Sequence, residues 1–228
     1  MRVKIALTLY FSKEQNKNTM TAPSSPARLP QGAFRTISTA RHDALGLGPG
    51  LSLARGRVHE ALGNAADMFA VLIASRMSGP IFWIGLQREI ETLNPAALQD
   101  FLDPARITLI AGVSRAEILW AAEQALRTPA AIIAEIGQGP DLRESRRLQI
   151  AAEESGAVGI MLINGRAQTS AAETRWECRQ AGENQWAWIS MKDKRGGGGA
   201  WRVSWEGEGD ANGGRQTGAI HLAAATAA

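Results

Sequence analysis

Five short apolar runs mark the middle of the chain: RVHEAL (57–62), IFWIGL (81–86), RITLIA (106–111), AIIAEI (131–136) and VGIMLI (158–163). Such near-continuous runs are the pattern of strands buried on both faces of a parallel sheet. Between most of them the period lengthens. Phe69, Leu72, Ile73 and Met77 recur at i, i+3, i+4 and i+8, which is one face of a helix. Ser114 and Glu117 form a capping-box start ahead of Ile118, Ala122, Ala125 and Leu126. Asp141 and Glu144 repeat that arrangement before Leu148, Ala151 and Ala152, and Gly156 supplies a stop. The connection from 86 to 106 offers only a short helical candidate, 95–101. Strand–helix alternation with right-handed crossovers predicts a three-layer α/β fold with a mainly parallel central sheet.

After residue 163 the period shortens to two. TRWECR (174–179), QWAWISM (185–191) and AWRVSW (200–205) carry five of the seven tryptophans. GGGG (196–199) separates the last two segments. This predicts a C-terminal antiparallel extension from about 174, with a hairpin and a loose loop. The polar, Pro- and Ser-rich stretch KEQNKNTMTAPSSPARLPQG has too little apolar surface to fold alone. Residues 1–40 are therefore expected to be a flexible basic leader, with Met20 as an alternative start. Residues 41–206 form the expected core, and 207–228, rich in Gly and Ala, are expected to be a disordered tail.

The chain has 228 residues, 45% of them hydrophobic and 21% charged, enough apolar content for a sizeable core. No run approaches the roughly 18 apolar residues of a membrane span, and no signal-peptide pattern is present, so a cytoplasmic location is expected. Cys178 is the only cysteine, which excludes an internal disulfide and a cysteine-based zinc site. The net charge of +3 is unevenly placed. Residues 1–40 hold six basic and one acidic side chain, whereas 41–178 hold thirteen and sixteen. The basicity lies in the leader and not on a folded face, which speaks weakly for direct DNA binding.

The strand–loop–helix starting at 57 stands where an α/β nucleotide-binding protein places its phosphate loop. That loop needs glycines for close approach, a lysine for the β/γ-phosphates and a Ser/Thr hydroxyl for Mg²⁺. Here Gly63 survives, but Met68, Phe69 and Ala70 occupy the places of the second glycine, the lysine and the hydroxyl. No lysine occurs from 18 to 191. Phe69 reads as a core residue. Glu135, ending the AIIAEI run, is a relic acid position: it would hold Mg²⁺ beside a nucleotide, or else cap or pair locally. His59-Glu60 lacks the second histidine of a zinc-protease helix, Gly63 standing in its place. No G-x-S-x-G elbow exists. No catalytic residue, metal or cofactor is expected.

Two groups are candidates for partner contact. Arg143, Arg146 and Arg147 share a helical stretch, with Arg166 and Arg175 nearby in sequence. They read as contacts to an acidic partner or DNA phosphates, or as a solvated face balanced by Glu144, Glu153 and Glu154. Trp186, Trp188, Trp201 and Trp205 alternate along strands, so one face packs on the sheet while another offers aromatic interface anchors.

The segment GLSLARGRVHEALG (50–63) resembles the entry to the RecA core. IFWIGLQ (81–87), AIIAEIG (131–137) and LRESRRLQIAAEESGAVGIMLIN (142–164) follow in similar order. DPARITLI, ILWAAEQALR, SRRLQIAAE and TRWECR together resemble ImuA, the RecA-like accessory family of bacterial SOS mutagenesis, over about residues 45–206. Gln87 stands at the catalytic glutamate of RecA. Gly165 stands at its ATP-sensing glutamine, and 166–170 is too short for its DNA-binding loop. The resemblance implies a RecA-like fold with a degenerate phosphate loop, a pseudo-NTPase. It would serve as an adaptor in error-prone translesion DNA synthesis, active at the nucleoid. The implied partners are an ImuB-like inactive Y-family polymerase, the error-prone DnaE-type polymerase and RecA itself, with DNA contact indirect or weak and no membrane. Alternatives are a SulA-like inhibitor binding the division protein FtsZ, a divergent ATPase, or a RecA paralogue binding DNA without ATP.

Overall fold

The computed structural model describes residues 44–48, 50–206 and 219–224. The five apolar runs are strands of one nine-stranded sheet. In chain order they are β3 (Arg57–Leu62), β4 (Ile81–Leu86), β5 (Ile107–Gly112), β6 (Ala131–Ile136) and β7 (Val158–Ile163). They follow a short antiparallel hairpin, β1 (Ala44–Gly48) and β2 (Leu51–Ala54). Four more strands come after them: β8 (Thr174–Gly182), β9 (Gln185–Asp193), β10 (Ala200–Glu206) and β11 (Ala219–Ala224). The sheet order is β11-β10-β9-β8-β3-β7-β6-β4-β5. All pairs from β8 to β5 are parallel, and β8 to β11 form an antiparallel meander.

Alternation along the strands divides the core between two sheet faces. Ala131 and Ile133 of β6 join one cluster, and Ile132, Ala134 and Ile136 join the other. The first cluster is covered by α1 (Ala66–Ser75) and the leucines of the β1–β2 hairpin. The second is covered by α3 (Arg115–Ala125) and α4 (Leu142–Ser155). The result is the expected three-layer α/β arrangement around a mostly parallel sheet. Helix α4 starts as its sequence predicts. The Asp141 carboxylate accepts the Glu144 N–H, the Glu144 carboxylate accepts the Asp141 N–H, and Gly156 ends the helix at φ 78°. At α3 the reciprocal bond shifts by one residue: Ser114 accepts from Glu117, whose own carboxylate accepts from Val113.

Several expectations are corrected. The tail is not wholly without structure, because Ala219–Ala224 pairs with β10 and Leu222 packs against the first core cluster. The remaining tail positions and the leader fall outside the described residues. The extension beyond 174 is a four-stranded meander, not a single hairpin. The connection after β4 holds α2 (Gln87–Thr92) before two 3-10 turns, Pro95–Leu98 and Pro104–Arg106. Six residues without a clear apolar stripe leave little period to read. The β1–β2 hairpin, built on the alternating leucines 45, 47, 51 and 53, was also not foreseen.

Buried polar pairs join β8 to β3. Glu60 and Arg175 are register partners, as are His59 and Thr174. The His59 ring is fully buried, and its Nε2–H donates to the Ala54 carbonyl at 3.0 Å. Thr174 Oγ1 donates to Nδ1 at 2.8 Å and accepts from Trp176 Nε1–H at 2.6 Å. Burial lowers the pKa of His59 from 6.5 to about 4, against the smaller opposing pull of the Ala54 carbonyl. Between those values the unfolded chain binds a proton that the native ring refuses. The contribution of His59 to stability therefore falls as pH drops through this window and levels off below about pH 4. The expected loss is about 3 kcal/mol. Urea midpoints at pH 7 and pH 4.5 measure it, and the His59 ring signals should not titrate by NMR between pH 8 and 5.5. A ring titrating near pH 6.5 would contradict the buried neutral state.

Candidate functional site

In an open α/β sheet, ligands bind at the carboxyl ends of the strands where the chain reverses direction across the sheet. Here that point lies beside β3: the path leaves it toward β4 and returns by β7 before crossing to β8. A cleft of about 480 Å³ opens there. It is lined by the loop after β3 (Gly63, Asn64, Asp67, Met68), by Trp83 and Glu89, and by Asn94, Glu135 and Asn164.

The loop is tied down from behind. Gly63 has φ 97°, and a Cβ there would lie 2.2 Å from the Cys178 carbonyl oxygen. That carbonyl accepts the Ala65 N–H at 3.2 Å, and Gly63 accepts the Ala66 N–H at 3.3 Å. The Met68 N–H donates to the Asp67 carboxylate at 2.8 Å. Amides that would cradle an anion are thus engaged by the protein itself, and Asp67 already supplies negative charge to the helix N-terminus. Cys178 is buried, and its thiol is pushed well above the ordinary range by that burial, which disfavours the reactive thiolate.

Phe69 and Ala70 are fully buried, and Met68 lines the cleft. The Phe69 ring lies 5.6 Å from Trp176 and 4.8 Å from Trp188, edge-on to the latter. Position 69 therefore belongs to an aromatic cluster in the core and not to the cleft. Glu135 accepts from Trp83 Nε1–H at 2.5 Å. Burial raises its pKa, the Trp83 bond opposes this, and the charges of Glu89 and Asp67 add to the rise. Three carboxylates, Asp67, Glu89 and Glu135, share the cleft, and its lining contains no Lys, Arg or His.

No protein-family model matches this chain, and none of the curated proteins matches it.

The candidate partner residues separate into three groups. Arg143, Arg146 and Arg147 are exposed on α4, as expected, and Arg147 reaches Glu123 of α3 at 2.6 Å. Arg166 is exposed on the loop after β7, where its carbonyl accepts the Gly139 N–H at 3.0 Å. Arg175 is not a surface cation. Its Nε donates to the fully buried Glu60 at 2.7 Å, so its charge neutralises a core carboxylate. The aromatic face is corrected more strongly. Trp186, Trp188 and Trp201 are buried, and Trp205 is half-buried against Phe101 at 4.9 Å. Trp201 pairs with Trp188 across β10 and β9, so the tryptophans share one face, which α1, the β1–β2 hairpin and Phe101 cover.

Sequence reasoning did not find the Trp83–Glu135 bond or the gathering of Asp67 and Glu89 beside it. The sheet register explains it: Trp83 opposes Ile133 on β6, and Glu135 lies two residues on, on the same face. Nor did it single out Trp120 of α3, which is 62% exposed. Among the described residues no group of His, Cys, Asp and Glu is arranged to hold a metal, and no helix is long and apolar enough to cross a membrane.

Proposed function

We propose that this chain is a non-catalytic RecA-like protein that acts as an adaptor in SOS-induced error-prone translesion DNA synthesis. The observation that carries the non-catalytic part is the cleft at the end of β3. Where a nucleotide-binding relative would grip a triphosphate, this cleft presents Asp67, Glu89 and Glu135, with Phe69 buried in the lysine's place. Like charges held together repel a polyphosphate. The translesion assignment rests on the resemblance of residues 45–206 to the ImuA family. Its partners would be an ImuB-like inactive polymerase and the DnaE-type error-prone polymerase, with RecA as a third candidate.

The test has two arms. Calorimetric titration of the full chain with ATP and Mg²⁺ should give no heat of binding, whereas micromolar affinity would restore the ATPase reading. Pull-down with the ImuB-like and DnaE-type proteins encoded in the same genome should retain both. Retention of neither, with capture of FtsZ instead, would move the assignment to the cell-division reading.

A further inference from the structure

Helices α3 and α4 pack side by side on the second sheet face and leave a groove of about 300 Å³ between them. Its floor is apolar, formed by Ala116, Leu119 and Leu148. Trp120 stands at its outer wall, 62% exposed, a large cost in uncovered apolar surface for a residue with no core function. The other tryptophans with described side chains are buried or half-buried, so this ring is exceptional in the fold.

The charges beside the groove are unevenly satisfied. Glu144 holds Arg115 at 2.8 Å, and Glu123 holds Arg147 at 2.6 Å and Arg127 at 3.6 Å. Arg143 lies one turn before Arg147 on the same side of α4, and Arg146 lies on the adjoining outer face. Both are exposed, and neither has an ion-pair partner among the described residues. Ile150, half exposed, continues the outer face one turn beyond Arg146. Arg143 and Arg146 do not line the slot, but they stand on the exposed side of α4 next to it, so two open guanidinium groups flank an apolar slot with an aromatic wall.

We infer that the α3–α4 groove docks an acidic protein segment, with one large apolar side chain seated against Trp120 and carboxylates paired to Arg143 and Arg146. Charge complementarity selects this occupant. A nucleic-acid backbone needs a run of open cations. Here only two are open, and the groove walls carry Glu123 and Glu144. A short segment with one anchor and flanking acids matches both the slot and its rim, and Trp and Arg are the side chains that most often dominate such contacts. The inference deepens the adaptor reading by naming the surface and the chemistry it would recognise.

The probe is a library of random peptides displayed on phage, selected against the immobilised full chain. Enriched peptides should carry Asp or Glu around one Phe, Trp or Leu. As synthetic peptides they should bind Trp120→Ala and Arg143→Glu/Arg146→Glu at least about tenfold more weakly. Met191→Ala, which removes an exposed apolar side chain elsewhere, should bind as the parent does. All positions changed are on the surface, and unchanged melting temperatures exclude misfolding. Basic peptides, no enrichment, or peptide binding indifferent to Trp120 would overturn the inference. So would labelled DNA oligonucleotides bound in place of peptides and lost in the same variants. Peptide binding with failed pull-down of the polymerases would leave the groove standing and remove the translesion assignment. Retained pull-down with no peptide selected would do the reverse.

Discussion

Replacing Phe69 with lysine is expected to unfold the protein, not to restore a phosphate grip. The side chain at 69 points away from the cleft, into the space between Trp176 and Trp188. An ammonium placed there would lose its hydration and find only indole and aliphatic carbon around it. The aromatic contacts of the parent would also vanish, a loss that alone is worth about 3–5 kcal/mol for a buried phenylalanine. The combined effect exceeds about 5 kcal/mol, a large share of the stability of a domain this size. Circular dichroism melts and urea titration would show an unfolded or severely destabilised chain, unchanged by Mg²⁺ and ATP. A folded Phe69→Lys variant that binds ATP would show that the cradle is empty by one residue only, and the adaptor reading would lose its main support.

The second large effect is expected at Arg175. Changing it to methionine leaves the Glu60 carboxylate fully buried with its charge partner gone. Breaking a buried pair in this way costs about 3–5 kcal/mol, because the remaining charge is neither hydrated nor matched. The double variant Glu60→Leu/Arg175→Met should recover most of that loss, since neither side chain then carries charge into the core. Chemical denaturation of the two variants makes the comparison. Equal stability of Arg175→Met and the parent would place Arg175 on the surface after all. The result also bears on partner assays: lost binding in an Arg175 variant would report unfolding, whereas lost binding in an Arg143 or Arg146 variant would not.

The parallel strands and the long helices were legible because each carries its own signal. AIIAEI is apolar at every position but one, which suits a strand covered on both sides, and α4 declares its start with Asp141 and Glu144 and its end with Gly156. Three of the four meander strands were legible as strands, β11 was not, and none was legible as part of a layer. Alternation places Trp186, Trp188 and Trp201 on one face, yet whether that face meets water depends on α1 and the β1–β2 hairpin, which lie more than a hundred residues earlier. That the loop after β3 holds no lysine was also readable. The carboxylates that face the same cleft were not. The carboxylates of Asp67, Glu89 and Glu135 come from three separate elements, and only sheet register and the turn into α2 bring them together. Arg175 failed as a surface candidate for the same reason: its partner Glu60 lies 115 residues away across a parallel pair of strands.

The bond from the Ala65 amide to the Cys178 carbonyl has a consequence for any attempt to build a nucleotide site at this loop. Placing glycine, lysine and threonine at 68–70 would change side chains only, while the Ala65 amide would stay bonded to the neighbouring strand and the Ala66 amide to Gly63. The loop is thereby stitched to β8 over an aromatic filling. Building a phosphate grip there would require undoing that bond and emptying the filling at once, since either change alone leaves a hole or a clash.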